Sequence, residues 1–274
     1  MANKVSDNKS RNKRRKRKRR INTIAQYIFV IRELTAREIK RKYARSSLGI
    51  IWSVLNPLLT MVVMSLIFST MFKRNIENFP IYYLTGQIFW TLFSTATNSS
   101  MSALVDNKTL LIKAKLPKQT FILSRIYTAL VNFGYTCIAY ILMLAVFQIE
   151  PNITMLLIFV DILYALLLSV GVGYLLAVEY VFFADIKYLY GVFLTLLMYM
   201  SAIFYPAERL SEGMQRVIRH NPVFLLIDFA RQCVMYGKVP DQDTWINLTI
   251  WSVVSIAVGM TVFRVRVNKV MQSI

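Results

Sequence analysis

The sequence predicts an all-α membrane protein with six transmembrane helices, an N-terminal amphipathic interfacial helix and short outer re-entrant helices before the last span. Three observations lead there. First, 56% of the 274 residues are hydrophobic and only 17% are charged, where a soluble domain carries about 25% charged residues. Second, residues 46–72, 79–105, 126–149, 188–207 and 244–263 contain no Asp, Glu, Lys or Arg, and 152–178 contains a single acid, Asp161. Such runs match the roughly 20 residues a helix needs to cross about 30 Å of hydrocarbon, where each backbone amide must be satisfied within its own segment. A soluble bundle of buried helices would show polar stripes, and runs such as Leu142-Met143-Leu144 leave no room for one. Third, the basic residues sort by side. Threading six spans puts 26 Lys and Arg on the side of both termini and seven on the other. Lys and Arg are retained in the cytoplasm, so both termini are predicted to be cytoplasmic.

The elements follow in order. Residues 1–21 form a polybasic cytoplasmic tail that reads as disordered, with eleven Lys and Arg against Asp7. Such a run can signal nucleic acid. Directly before a membrane domain it reads instead as lipid-hugging, since anionic lipid attracts each Lys or Arg by about 1 kcal/mol near the surface, and no nucleic-acid partner is expected. Residues 22–45 carry Ile24, Tyr27, Ile28, Ile31, Leu34 and Ile39 at three- and four-residue spacing, with Arg32, Arg37, Lys40 and Arg41 largely on other faces. This is an amphipathic helix of the cytoplasmic interface. The membrane domain, 46–274, begins with a span at about 47–72, where Asn56-Pro57 predicts a break or bend. The second span, about 80–105, has Pro80 in its first turn and is unusually polar, with Thr85, Gln87, Thr91, Ser94, Thr95, Thr97, Asn98, Ser99, Ser100 and Ser102. Polar residues in a span face protein or a hydrated path, and the sequence leaves both readings open.

Residues 106–118 form a short basic cytoplasmic loop holding Leu110, Leu111 and Ile112 between charges and ending near Pro117. It reads as a small surface helix for docking a partner or as a solvated connector. Spans three and four, about 120–147 and 153–178, are joined by a tight outer turn, and Gly171 and Gly173 allow close packing. Asp161 predicts a structural hydrogen bond, because nothing near it in sequence completes a proton relay. The fifth span is predicted at about 186–204. The outer gate segment 205–243 is too interrupted for a span, and 223–235 reads as a re-entrant or interfacial helix. The sixth span is 244–263, closed by Arg264, Arg266 and Lys269.

Enzyme chemistry is missing from the pattern. There is no phosphate-binding G-x-x-x-x-G-K-[S/T] loop, no nucleophile elbow and no metal-ligand spacing, and Cys137 and Cys233 read as unpaired small residues. What remains is a conduit or scaffold powered or gated by another chain.

At this point the residues resemble a known family. Arg41-Lys42-Tyr43-Ala44-Arg45-Ser46-Ser47-Leu48-Gly49, followed by Ile50-Ile51-Trp52-Ser53-Val54-Leu55-Asn56-Pro57, is similar to the junction of interfacial helix and first span in the transmembrane subunit of type-two ATP-binding-cassette exporters, in the branch that exports O-antigen, capsule or teichoic-acid-like polymers. Ile112 through Pro117 and His220-Asn221-Pro222 through Arg231 support the match, which covers about 25–270. The resemblance implies a homodimer in the bacterial plasma membrane, with two copies of a separate nucleotide-binding ATPase that holds ATP and Mg, while this chain binds no cofactor or metal. It implies a lipid-linked glycan as substrate and no catalytic residue on this chain. Carried over, Trp52, Tyr82, Tyr83, Phe89, Trp90, Phe193, Tyr199 and Phe204 would line the path. Arg37, Lys40, Arg41, Lys42 and Arg45 would meet the lipid pyrophosphate, and Asp106, Lys108, Leu110, Leu111, Lys113, Lys115 and Pro117 would dock the ATPase. An exporter of drugs or hydrophobic compounds with the same fold is the alternative, and a partner-independent channel or scaffold is the rival from another class.

Overall fold

A computed structural model describes residues 25–72, 76, 78–113 and 116–273; the polybasic tail and Lys115 lie outside them. Among the described residues every regular element is helical, as an all-α membrane protein requires. Four helices are long and apolar enough to cross a membrane.

The first helix, α1 (25–43), has two apolar faces. Leu34 and Thr35 are buried, and Thr35 donates to the Ser124 carbonyl at 3.2 Å. Ile28 and Phe29, in contrast, are 54% and 64% exposed. One face therefore lies on protein and the other is left for lipid, as for a helix in the interface plane. The chain then reverses at Gly49, whose φ of +49° favours glycine, and the Gly49 N–H donates to the Ser46 hydroxyl at 3.0 Å.

A single 3-10 turn leads into α2 (Trp52–Phe72), which continues through Pro57 without a break. That corrects the predicted interruption. Proline removes one N–H, and the rest of the helical bonding carries the helix across it. α2 leans on its neighbours lightly, with Met61 the buried residue among those from Trp52 to Phe68.

The central helix is α3 (Phe79–Met101), with Pro80 in its first turn. Its 23 residues span about 34 Å at 1.5 Å each, enough to cross despite its polarity. Buried hydroxyls bond locally or across helices: Thr85 to the Ile81 carbonyl and Tyr140, Thr97 to the Phe93 carbonyl and Tyr190. α4 (Ala103–Asp106) closes the stretch predicted as the second span, and α5 (Lys108–Lys113) is a short helix within 106–118. A turn then joins α6 (Gln119–Val146) to α7 (Ile158–Phe182).

α7 makes its most extensive packing with α11 (Gln242–Ser273). A β-carbon on Gly171 would collide with the Ser255 carbonyl, and one on Gly259 with the Gly171 backbone. The two backbones touch because neither residue has a side chain, the usual route to close packing between helices in lipid. Gly173 plays a milder part against Ser100 of α3. The predicted hydrogen bond of Asp161 does not form: the side chain is fully buried and neither oxygen has a partner among the described residues.

α8 (Ile186–Tyr199) is shorter than its uncharged run suggests. Its 14 residues reach about 21 Å. The helix stops because Asn221 donates to the Met200 carbonyl at 3.1 Å, Ala202 adopts φ +48°, and Arg231 donates to the Ala202 and Ile203 carbonyls. Charge-free composition could not show this, since the caps come from residues some 20 to 30 positions away. α9 (Glu212–Ile218) and α10 (Pro222–Val234) follow. α10 is a helix where 223–235 is expected to form one; it opens with Asn221 accepting the Val223 N–H at 2.9 Å and buries most of its length. α11 runs beyond the predicted 263 to Ser273, carrying its basic residues as helix, and Arg266 pairs with Glu179 of α7 at 2.6 Å. Charges mark where a membrane ends, and Lys and Arg are good helix formers.

Candidate functional site

Two features of the helix bundle meet in one place. The first is the outward face of α3. Thr91, Thr95 and Asn98 are exposed, with Gln87 donating to Thr91 at 3.4 Å. Their spacing of four and three residues stacks them on one side of the helix. A polar stripe in a crossing helix that its own protomer leaves uncovered needs water or another protein against it.

The second feature is a cavity of about 320 Å³ where that stripe reaches α1 and α6. Its walls carry Glu38, Arg41 and Lys42 from α1, Thr95 and Ser99 from α3, and Arg125, Thr128 and Asn132 from α6. Glu38 is taken up by Arg125 at 2.6 Å. Lys42 donates to Asn132 at 3.3 Å and lies 5.1 Å from the Tyr43 ring centroid. Tyr43 bonds Ser53 of α2 and Asn132, so the start of α2 is fastened to the same wall. Arg41 pairs with no carboxylate among the described residues. The balance is positive, with hydroxyl and amide groups beside the cations. That chemistry suits an anion such as a phosphate ester, with Arg and Lys as charge and Thr, Ser and Asn as hydrogen-bonding neighbours.

The five basic residues singled out from sequence do not act together. Arg41 and Lys42 line the cavity. Arg37 instead donates to Asn107 at 2.7 Å, and Lys40 and Arg45 are exposed away from it. The eight aromatics also divide. Tyr82, Tyr83, Phe89 and Trp90 are buried inside the protomer. Tyr82 lies under Arg231, 3.4 Å from guanidinium to ring centroid, and Phe89 meets Phe133 edge-on at 5.7 Å. Their faces are committed to core packing. Phe204 is half-buried between Tyr83 and Tyr199. Trp52, Phe193 and Tyr199 are 46%, 52% and 57% exposed, and these are the rings with free surface.

In 106–118, Asp106, Lys108 and Lys113 are exposed, Leu110 and Pro117 half-buried, and Leu111 faces the core. Ile112, 62% exposed, is the apolar tip of α5. Sequence reasoning did not single out Arg125, Asn107 or Asn132. For Arg125 and Asn107 the available signal was a polar side chain within two turns of the end of an apolar helix; Asn132 lies at the middle of α6 and carried no such signal.

Arg231 of α10 is 2% exposed. It donates to the Tyr82, Ala202 and Ile203 carbonyls, and Gly86 leaves room for it, since a β-carbon there would sit 2.9 Å from its Nη2. Beside it, burial pushes the Asp228 carboxyl up, against the pull of Gln232, which donates at 2.6 Å, and of Arg231.

Comparison with known proteins places this arrangement. The family described as ABC-2 type transporter matches residues 30–235. The O-antigen export system permease protein RfbA of Myxococcus xanthus is 28% identical over 258 residues, which is 93% of this chain and 99% of that protein. An RfbA permease of Klebsiella pneumoniae is 24% identical over 242 residues, 86% of this chain and 92% of that protein. The polysialic acid transport protein KpsM of Escherichia coli is 24% identical over 252 residues, 89% of this chain and 95% of that protein. The matched segment runs from α1 through α10, well over half of the chain, and the chain belongs to the ABC-2 type transporter family.

Proposed function

We propose that this chain is the membrane subunit of an ATP-driven exporter that moves a lipid-linked polysaccharide across the bacterial plasma membrane. The observation that carries the reading is the polar face of α3 descending into the basic cavity at Arg41 and Lys42. A hydroxyl-lined stripe suits the sugar chain, and the cations suit the phosphate that joins sugar to lipid. The names of relatives in O-antigen and polysialic acid export support it. In this reading the six spans leave both termini in the cytoplasm, with the polybasic tail on anionic lipid and 205–243 as the outer gate. Two copies of the chain enclose the path, with the α3 stripe of each facing it. Of the aromatic residues, Trp52, Phe193 and Tyr199 are the ones with rings free to meet sugar faces. Two copies of a separate ATPase dock on 106–118 and hydrolyse ATP with Mg, because membership of the family implies an ATP-binding partner.

The test is reconstitution of the chain with its partner ATPase in sealed vesicles loaded with the cell's own lipid-linked glycan. Export is read as glycan that becomes accessible to a lectin on the far side. ATP-dependent accessibility is the expected result. Hydrolysis stimulated by hydrophobic compounds and not by the glycolipid would move the reading to a drug exporter. Passive conductance without any ATPase would move it to a channel.

A further inference from the structure

One side chain joins the docking segment to the wall of the cavity. Arg125, in the second turn of α6, sends Nη1 to Glu38 of α1 at 2.6 Å and Nη2 to Asp106 of α4 at 2.9 Å. Its side chain is 12% exposed and that of Glu38 15%. Asp106 also accepts the Ser102 hydroxyl at 2.8 Å. A second, parallel tie runs beside it. Arg37 of α1 donates to Asn107 at 2.7 Å, and Asn107 donates to the Ala103 carbonyl at 2.8 Å. Asp106 and Asn107 are the residues directly before α5, the exposed helix of the docking segment. Glu38 is one turn from Arg41 and Lys42.

We propose that Arg125 is the positioning residue that makes the docking segment and the interfacial helix move as one body, so that a displacement delivered at α5 reaches the cavity. This rests on the exporter reading above. The planar fork of a guanidinium can hold two carboxylates on two different elements in fixed directions, which a lysine ammonium cannot. The Arg125–Glu38 pair is shielded from solvent, which weakens its screening by salt, whereas Asp106 is 44% exposed. Arg125 acts here through Glu38 and Asp106 and needs no contact with the glycan.

The experiment uses the full complex in glycan-loaded vesicles and measures glycan exported per ATP hydrolysed, together with assembly of the complex. Arg125→Met keeps the length of the side chain and removes both bonds. The expected result is an assembled complex that hydrolyses ATP while export per ATP falls about tenfold, the change that loss of a charge-assisted tie gives. Arg125→Lys, able to hold one carboxylate at a time, recovers part of that loss. Glu38→Gln and Asp106→Asn each lower the ratio in the wild-type background and have little effect once Arg125→Met is present, the non-additivity of residues in one network. If Arg125→Met fails to assemble, the Glu38→Gln and Asp106→Asn single and double variants carry the same test. A wild-type ratio in Arg125→Met overturns the inference while the exporter reading stands, as does full additivity of the carboxylate variants. A wild-type complex that moves no glycan overturns the reading and this inference with it.

Discussion

α11 and α2 are both long apolar helices, and they sit in the protein in opposite ways. α11 crosses α7 at backbone contact, through Gly171 and Gly259, and anchors its C-terminal extension to Glu179. α2 buries Met61 and leaves Leu59, Val62, Val63, Leu66 and Ile67 about half or more exposed. Hydrophobicity alone does not separate these cases, because lipid solvates both. What separates them is whether small residues let a neighbour come close. A helix held by backbone contact serves as scaffold, whereas one resting on a few side chains is free to shift or to pack against a second chain.

The largest expected effect comes from breaking the scaffold. Gly171→Val or Gly259→Val forces α7 and α11 apart, and overpacking of this kind costs about 1–3 kcal/mol or more. Each should cut the yield of folded protein and lower its melting temperature in detergent. Gly191→Ala, with open space around it, should leave both unchanged.

The next effect belongs to the path. Thr91→Leu with Thr95→Leu removes hydroxyls from the exposed α3 stripe without touching buried packing. Thermal stability should hold while export slows roughly tenfold, equivalent to about 1.4 kcal/mol on the barrier. Equal loss of stability would place the stripe in helix packing instead.

A third measurement sharpens the contrast between the two helices. Leu66→Cys on α2 and Val253→Cys on α11 are 73% and 61% exposed in one protomer. If α2 meets a second copy, the first should cross-link between chains under mild oxidation and the second should not. The reverse pattern would put α11 at the contact between copies.

The smallest effect is expected at Asp161. Its buried carboxylate has no hydrogen-bond partner among the described residues, and an unsatisfied buried polar group costs about 1–3 kcal/mol. Asp161→Val should therefore raise the melting temperature slightly and leave export unchanged. A fall in export with stability gained would give the carboxylate a part in the mechanism.

Several parts of this architecture were legible from sequence because they depend on local properties. Helices form close to the positions expected for the N-terminal amphipathic helix, for the small helix of 106–118 and for α10, since each is marked by its own periodicity or by a nearby proline. α8 was overestimated because a charge-free run shows where a helix is permitted, while its end at Tyr199 depends on caps from Asn221 and Arg231. The aromatics show the same limit. Trp90 and Trp52 are chemically alike, yet one is buried against its own protomer and the other is open.

The sequence by itself determined the class, the helical segments, the sorting of positive charge and the membership of the family, because each is written in the composition and order of neighbouring residues. Only the tertiary structure decided which faces those helices bury. Arg41 and Lys42 meet Thr95 and Asn132 across 50 to 90 positions of chain, and Arg125 finds Glu38 across 87. Such pairings arise from packing several helices at once, and no local pattern encodes them.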